Sequence, residues 1–388
     1  MTWVDGASAA DFAAAAKSYA ETNSINPIDT KTADGTEVIF EKLPLGYYLV
    51  DSSLGSLCSL DTTATEVIIK EKNSETTIEK EVKEGDTWGE TSDARIGDTV
   101  EYRSIITVGD GTINLVMHDV MEEGLTFNAN SVAATDSKGG KPAFSVSTAA
   151  NDGCTFEVAF TDGYVATLSK GDTITVTYNA VLNEKAEIKD ESNDNKVKVT
   201  FGEKSSSEWD TTRTYTYQFD LVKTDENGKV ITGAEFALYD AQTAGNKIPV
   251  VAVSENDITG EYVYRVATDE EIAAGADAII KAGKATIIGL DSKVYYLEET
   301  KQPSGYNKLT DRIAADMTRK ENNNATISSD GSAYGTYDEG GVQIINKAGT
   351  ELPGTGGMGT TLFYAAGSLL MLISFILLVT MRRMNHAR

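Results

Sequence analysis

Two lysines fall in line with large apolar side chains on strand-like segments, and each has acid and amide candidates elsewhere in the chain. With the two-residue period of a strand, Tyr215, Tyr217, Phe219, Leu221 and Lys223 share one face, which places a lysine inside. Val342, Ile344 and Asn346 share a face, and so do Tyr295, Leu297 and Glu299, with Glu298 opposite. An earlier region repeats the set. Ile78, Lys80 and Val82 line up with Glu79, Glu81 and Lys83 opposite, which leaves Lys83 as the runner-up to Lys80. Leu115, Met117, Asp119 and Met121 form one row, and Asn195, Val197, Val199 and Phe201 form another, with Lys196 and Lys198 outside. Parity thus selects two groups: Lys223, Glu299 and Asn346, and Lys80, Asp119 and Asn195. In a low-dielectric interior an amine gives up its proton more readily and a carboxyl tends to keep one. A neutral amine is a nucleophile, and a protonated acid can polarise an amide carbonyl and then shuttle protons. The same residues are also met by a buried lysine–carboxylate pair with an asparagine hydrogen-bonded nearby.

Short alternating runs must position these groups. Asp172–Leu182 places Ile174, Val176, Tyr178, Ala180 and Leu182 on one face, and comparable runs occupy 98–108, 113–121, 155–161, 195–202, 214–224, 234–240, 284–290, 294–300 and 341–347. Gly, Asp, Asn and Ser cluster between them as turn signals. This spacing predicts an all-β chain of tandem immunoglobulin-like β-sandwich domains. Helix is expected at 7–20 and 269–282. Four segments follow: an incomplete first unit (1–70), a second (71–202), a third (213–348), and a C-terminal stretch (352–388). Residues 202–212 read as a polar join.

The 388 residues carry a net charge of −25, which excludes a nucleic-acid-binding surface because phosphate binding needs a basic patch. Two cysteines are too few for a disulfide framework, and two histidines too few for a histidine-based metal cluster or triad. No metal site and no cofactor are expected. Without paired-carboxylate or nucleophile motifs, a hydrolase is disfavoured and the chain reads as a non-enzyme. Residues 1–25 show no basic start followed by an apolar core, so the chain is expected to begin inside a longer precursor or at a misassigned start.

The C-terminal stretch reads Leu352-Pro353-Gly354-Thr355-Gly356, then an apolar run from Leu362 to Met381, then Arg382, Arg383 and a short tail ending in Arg388. The apolar run is long enough for a membrane helix, and the basic tail places everything upstream outside the cell. This order resembles the cell-wall sorting signal of Gram-positive surface proteins, whose pentapeptide a sortase cuts between Thr and Gly.

Other stretches resemble LPxTG-anchored backbone (major) pilins of the SpaA type. FDLVKTDENGKVITGAEFALYD at 219–240 and YYLEETKQPSGYN at 295–307 resemble a CNA-B or SpaA domain, the latter its E-box, whose acid precedes Thr300. TIEKEV at 77–82, IGDTVEY at 96–102 and VMHDVMEEGLTF at 116–127 resemble the second domain of these pilins, and LPLGYYLVDSS at 43–53 the end of the first. The resemblance implies that in each parity-selected group the Lys amine attacks the Asn side chain, the acid assists, and ammonia leaves an isopeptide bond. It implies Asp51 as the acid of a further group, with a lysine upstream of this chain. VIIKEKN at 67–73 partly resembles the pilin motif, which implies Lys72, with Lys70 as alternative, as the lysine joining the next subunit. The partners implied are a class C sortase, other pilin subunits as a homopolymer, peptidoglycan, and the membrane before processing. The place implied is the cell surface, wall-anchored or in a pilus. A monomeric wall-anchored adhesin of the same domains, or a minor pilin, is the alternative.

Overall fold

The structure is a computed structural model. It describes residues 9–32, 38–44, 46, 48–52, 55–59, 75–149, 152–188, 191–202, 204–318, 336–337, 341–349 and 358–385. Lys70, Lys72 and Leu352 to Gly356 lie outside these residues.

The first unit contributes helix α1 (Ala9–Thr22) and an antiparallel pair, β1 (Tyr48–Ser52) and β2 (Gly55–Ser59). Ala13 and Lys17, one helical turn apart, are both buried where α1 packs on the pair.

The second unit contains β3 (Thr77–Glu84), β4 (Thr87–Gly89), β5 (Thr91–Asp93), β6 (Thr99–Thr107), β7 (Val116–Met121), β8 (Leu125–Phe127), β9 (Ala133–Asp136), β10 (Phe144–Ser147), β11 (Phe156–Phe160), β12 (Thr173–Leu182), β13 (Asn193–Phe201), β14 (Ser205–Ser206) and β15 (Asp210–Tyr215). A one-turn helix, α2 (Asp162–Val165), follows β11. One sheet has the order β10-β11-β7-β13-β15-β5, the other β4-β3-β6-β12-β8. Their inner faces enclose one core that runs from Ile78 to Phe201. The five inward residues expected of β12 are all buried. Of these, Ile174, Val176 and Leu182 each contribute about 1.5–3 kcal/mol through apolar area removed from water.

The third unit contains β16 (Tyr217–Thr224), β17 (Ala234–Tyr239), β18 (Lys247–Ile248), β19 (Val250–Asn256), β20 (Glu261–Val266), β21 (Ile280–Ala282), β22 (Lys284–Leu290), β23 (Val294–Lys301), β24 (Ile313–Asp316), β25 (Thr336–Tyr337) and β26 (Gly341–Ile345). Its sheets run β19-β20-β22-β16-β26-β25 and β18-β17-β23-β24, around a second core from Tyr217 to Ile344. The all-β sandwich reading holds for both units.

Three details differ from the sequence reading. The join at 202–212 and the run at 214–224 resolve differently. Residues 210–215 form β15, which pairs with β13 and, in parallel, with β5, so the second unit's sheet extends to Tyr215. The run breaks at Thr216, and β16 starts the third unit. The helix expected at 269–282 is α3 (Asp269–Ala273) alone, opened by a capping box of Thr268 and Glu271. Gly275 follows it in the left-handed region (φ 93°), and Ile280–Ala282 becomes strand β21. At the C-terminus, α4 (Met358–Asn385) covers the expected apolar span. Among the described residues no helix is long and apolar enough to cross a membrane. Part of the expected span, 362–365, carries side chains outside the described set.

The second and third units meet through residues 93–97. The Ile96 amide donates to Gly289 O (3.0 Å), and the Tyr217 hydroxyl to Asp93 Oδ1 (2.7 Å). Gly289 has φ +80°, and a Cβ there would lie 2.6 Å from Ile96 Cδ1 and 2.9 Å from Cγ1. Gly171 has φ +88° with nothing within 4 Å of such a Cβ. Gly171→Ala is expected to cost about 1–2 kcal/mol from backbone conformation alone, and Gly289→Ala about 1–3 kcal/mol more from the clash. Denaturant unfolding of both variants measures this; equal losses would mean that Ile96 simply moves aside.

Candidate functional site

All six parity-selected residues are buried. Lys223, Asn195, Asn346 and Asp119 are 0% exposed, Glu299 1% and Lys80 2%. The structure brings them together as two separate groups.

In the third unit, β16 and β26 are parallel neighbours, with Lys223 opposite Ile344. Asn346 lies two residues on, so it occupies the same face, and its amide N–H extends the ladder by donating to Thr224 O. Lys223 Nζ donates to Asn346 Oδ1 and, at 3.0 Å, to Ile344 O. Glu299 reaches in from β23 on the facing sheet. Its Oε1 accepts from Asn346 Nδ2 at 2.9 Å and lies 4.0 Å from Lys223 Nζ. Two backbone groups of the following loop complete the site. Asn307 O accepts from Asn346 Nδ2 (3.0 Å), and the Leu309 amide donates to Glu299 Oε2 (2.8 Å). Burial pushes the Lys223 amine down to about 8, partly offset by the Glu299 charge. A population of neutral amine therefore exists near neutral pH, held at the amide it would attack.

In the second unit the sheets divide the residues differently. Asp119 on β7 pairs with Val197 on β13, and Met121 with Asn195, so Asp119 and Asn195 are diagonal neighbours on one inner face. Lys80 comes from β3 on the facing sheet. Its Nζ is 2.7 Å from Asp119 Oδ2, with both side chains fully buried. Tyr178, from β12, donates to the same oxygen (2.5 Å) and accepts from Lys80 Nζ. Burial lowers the Lys80 amine and raises the Asp119 carboxyl, in each case against the attraction of the other. Both shifts favour a neutral amine beside a protonated acid. Asp119 Oδ1 and both amide atoms of Asn195 are buried without a hydrogen-bond partner among the described residues. Leaving such groups unmade costs about 1–3 kcal/mol each.

Lys83, the runner-up, points outward and pairs with Glu101 at 2.5 Å. Sequence reasoning placed Tyr178 inward but gave it no part in the site; the signal was available, because a buried tyrosine hydroxyl needs a partner. The expectation that the lysine partner of Asp51 lies upstream of this chain is corrected. Lys17 of α1 donates to Asp51 Oδ1 at 2.8 Å. Lys17 was missed because it sits on a helix, where strand parity does not apply.

Comparison with known proteins supports this architecture. Residues 217–332 match the SpaA prealbumin-like fold domain, a stretch that includes Lys223 and Glu299. The trypsin-resistant surface T6 protein of Streptococcus pyogenes serotype M6 is 26% identical over 341 residues, 68% of this chain, and the chain spans 60% of that protein's length. The full-length major pilin RrgB of Streptococcus pneumoniae superposes with a TM-score of 0.50 at 15% identity, over 76% of this chain and 78% of that one. A group B streptococcus pilus 2b backbone protein is 21% identical, with a TM-score of 0.48, over 71% of this chain and 99% of that one. The family match thus covers most of the third unit, and the chain is similar to the T6 protein over about two thirds of its length.

The depressed Lys223 amine fixes the sign of a pH effect. Against an unfolded value of about 10.4, it makes the charged amine costly in the fold, by roughly 3 kcal/mol at most. Below pH 8 both states hold the proton and the full cost applies. Between about pH 8 and 10.4 the unfolded chain binds the extra proton, so stability rises with pH. In Glu299→Gln, which retains amine and amide, the urea midpoint is expected to rise from about pH 7.5 to about pH 9.5. Adding Lys223→Met should remove that rise; a slope unchanged by Lys223→Met would assign it to other groups.

Proposed function

We propose that this chain is the structural subunit of a sortase-assembled covalent pilus on a Gram-positive cell surface. The observation that carries the reading is the pair of buried Lys–acid–Asn groups, one in each of two tandem sandwich units ahead of a sorting signal. In each, the neutral Lys Nζ attacks the Asn Cγ. The acid takes the proton lost by nitrogen and returns it to Nδ2, the Cγ–Nδ2 bond breaks, and ammonia departs. One amide replaces another, with no oxidant or cofactor. Each reaction occurs once, so the protein is a substrate and a building block rather than an enzyme. The relatives support this, being named as a surface protein and as a major pilin.

Assembly follows from the C-terminal order. A class C sortase cuts after Thr355 in Leu352-Pro353-Gly354-Thr355-Gly356 and holds the chain as a thioester. The lysine of another subunit attacks, for which Lys72 is the candidate and Lys70 the alternative, and a last step joins the fibre to peptidoglycan. Before cutting, the apolar stretch from Leu362 to Met381 would hold the chain at the membrane; within it Leu369, Leu370, Met371, Phe375 and Leu378 are exposed among the described residues.

Two measurements test this. The folded chain should weigh two ammonia masses less than its sequence. Asn195→Ala and Asn346→Ala should each restore one relative to their own sequence, and a full sequence mass in the wild type would remove the isopeptide reading. Wall extracts of the wild type should show a ladder of covalent multimers that Lys72→Ala collapses. An unchanged ladder would pass the role to another lysine, Lys70 first, whereas a single wall-linked band from the wild type would favour the monomeric adhesin. The T6 relative is named for trypsin resistance. The double variant Lys80→Ala, Lys223→Ala is correspondingly expected to be digested at trypsin levels the wild type survives.

A further inference from the structure

The outer face of the β7 sheet carries a second cluster, separate from the Lys80 group. His118 of β7 stands opposite Glu157 of β11 on one side and Lys198 of β13 on the other. Asp152 and Cys154 approach from the turn before β11. His118 is 9% exposed. Its Nε2 lies 2.9 Å from Thr200 Oγ1. Its Nδ1 is 3.1 Å from Asp152 Oδ2 and 3.1 Å from Glu157 Oε1, yet this buried atom makes no aligned hydrogen bond. The ligand atoms of His118, Asp152 and Cys154 all lie within 4.8 Å of one another.

In the tautomer whose Nε2 donates to Thr200 Oγ1, the Nδ1 lone pair faces two carboxylate oxygens. Three electron-rich atoms so close repel unless a proton on Nδ1 or a metal ion lies among them. We propose that His118 Nδ1, Asp152 Oδ2 and Cys154 Sγ form a site for one zinc-class divalent ion, with Glu157 Oε1, 3.1 Å from Nδ1, turning in to complete it. Zinc takes four ligands in a tetrahedron at about 2.0–2.3 Å, which sets neighbouring N and O ligands about 3.3 Å apart, close to the spacing already present. Imidazole and thiolate select a borderline metal over calcium or magnesium, which take oxygen. The Cys154 amide donates to Asp152 Oδ1 (3.1 Å), and binding requires the thiol to release its proton to solvent. The two carboxylates and thiolate then exceed the ion's charge by one, and Lys198 beside them supplies the balance. Thr200 on Nε2 holds the imidazole in the ligating tautomer. Bound metal would clamp β7, β11 and the 152–154 turn at one point.

The test uses the full chain in detergent, stripped with EDTA and titrated with Co²⁺ and then Zn²⁺. One equivalent of Co²⁺ should give a near-ultraviolet thiolate band that equimolar Zn²⁺ bleaches. Cys154→Ser should lose the band, and Cys154→Ser and Asp152→Asn should each weaken Zn²⁺ binding by at least about tenfold in calorimetry. Cys58→Ser should change neither. Both substituted residues are partly exposed or at a turn, and thermal unfolding without metal checks that each variant folds; Zn²⁺ should raise the wild-type midpoint and not that of Cys154→Ser. Absence of saturable one-to-one binding would overturn the proposal. So would binding that survives both Cys154→Ser and Asp152→Asn, which would place the metal on the acidic surface.

Discussion

The structure depends on keeping two lysine amines in buried interiors. A charged amine in a sandwich core costs several kcal/mol even when paired, and a lone buried charge costs more. Each core therefore provides a carboxyl within reach and an asparagine side chain beside it. The second unit has the more extreme form, with Lys80, Asp119 and Tyr178 in one fully buried knot. The opposed shifts of amine and carboxyl move that knot toward a neutral pair, which removes much of the charge penalty and would produce the proposed nucleophile in the same step. Stability and reactivity thus have a common origin in desolvation.

The two units reach this arrangement by different routes, with different mechanical consequences. In the third unit Lys223 and Asn346 lie on neighbouring parallel strands, the first and last of the domain, and the acid comes from the facing sheet. Tension between the chain ends would shear β16 against β26, loading their ladder hydrogen bonds together. A bond from Lys223 to Asn346 would carry that load directly. In the second unit Asp119 and Asn195 share a sheet and Lys80 crosses from the other, so the proposed bond would tie the two layers together. One joins strands within a layer and the other joins layers, yet both link a domain's first strand to its closing region.

Period-two reasoning was sufficient to choose the buried residues because each strand was long and mostly apolar on its inner face. Lys80 and Lys223 were legible as inward because of their neighbours, not their own chemistry. Which strand faces which was not legible, since partnering is a property of topology rather than of local pattern. Residues 210–215 were misplaced for a related reason. The inward residues of β15 are Thr212 and Thr214, buried with their hydroxyls turned to Asn195 O and Ser92, so a core strand reads as a polar join. Lys17 escaped because the rule applied was a strand rule, and Lys17 reaches Asp51 from a helix.

Strand β7 connects the two kinds of chemistry. Asp119 points into the core and His118, the preceding residue, points out, so one backbone segment positions both the acid beside Lys80 and the imidazole beside Asp152 and Glu157. The turn before β11 holds the same segment from its other side. The Thr155 amide donates to Asp119 O, and the Thr155 hydroxyl accepts from the Met121 amide. Any cation bridging His118 to that turn would act on this segment directly, because a β-strand transmits displacement along its backbone to residues on both faces. Asp119 Oδ1 is left free of hydrogen bonds among the described residues, so its carboxyl is located by Lys80, Tyr178 and the β7 backbone. Rigidity of that backbone is then what keeps the acid diagonal to Asn195. The outer cluster is placed where it would supply such rigidity, on the strand whose register the inner site requires.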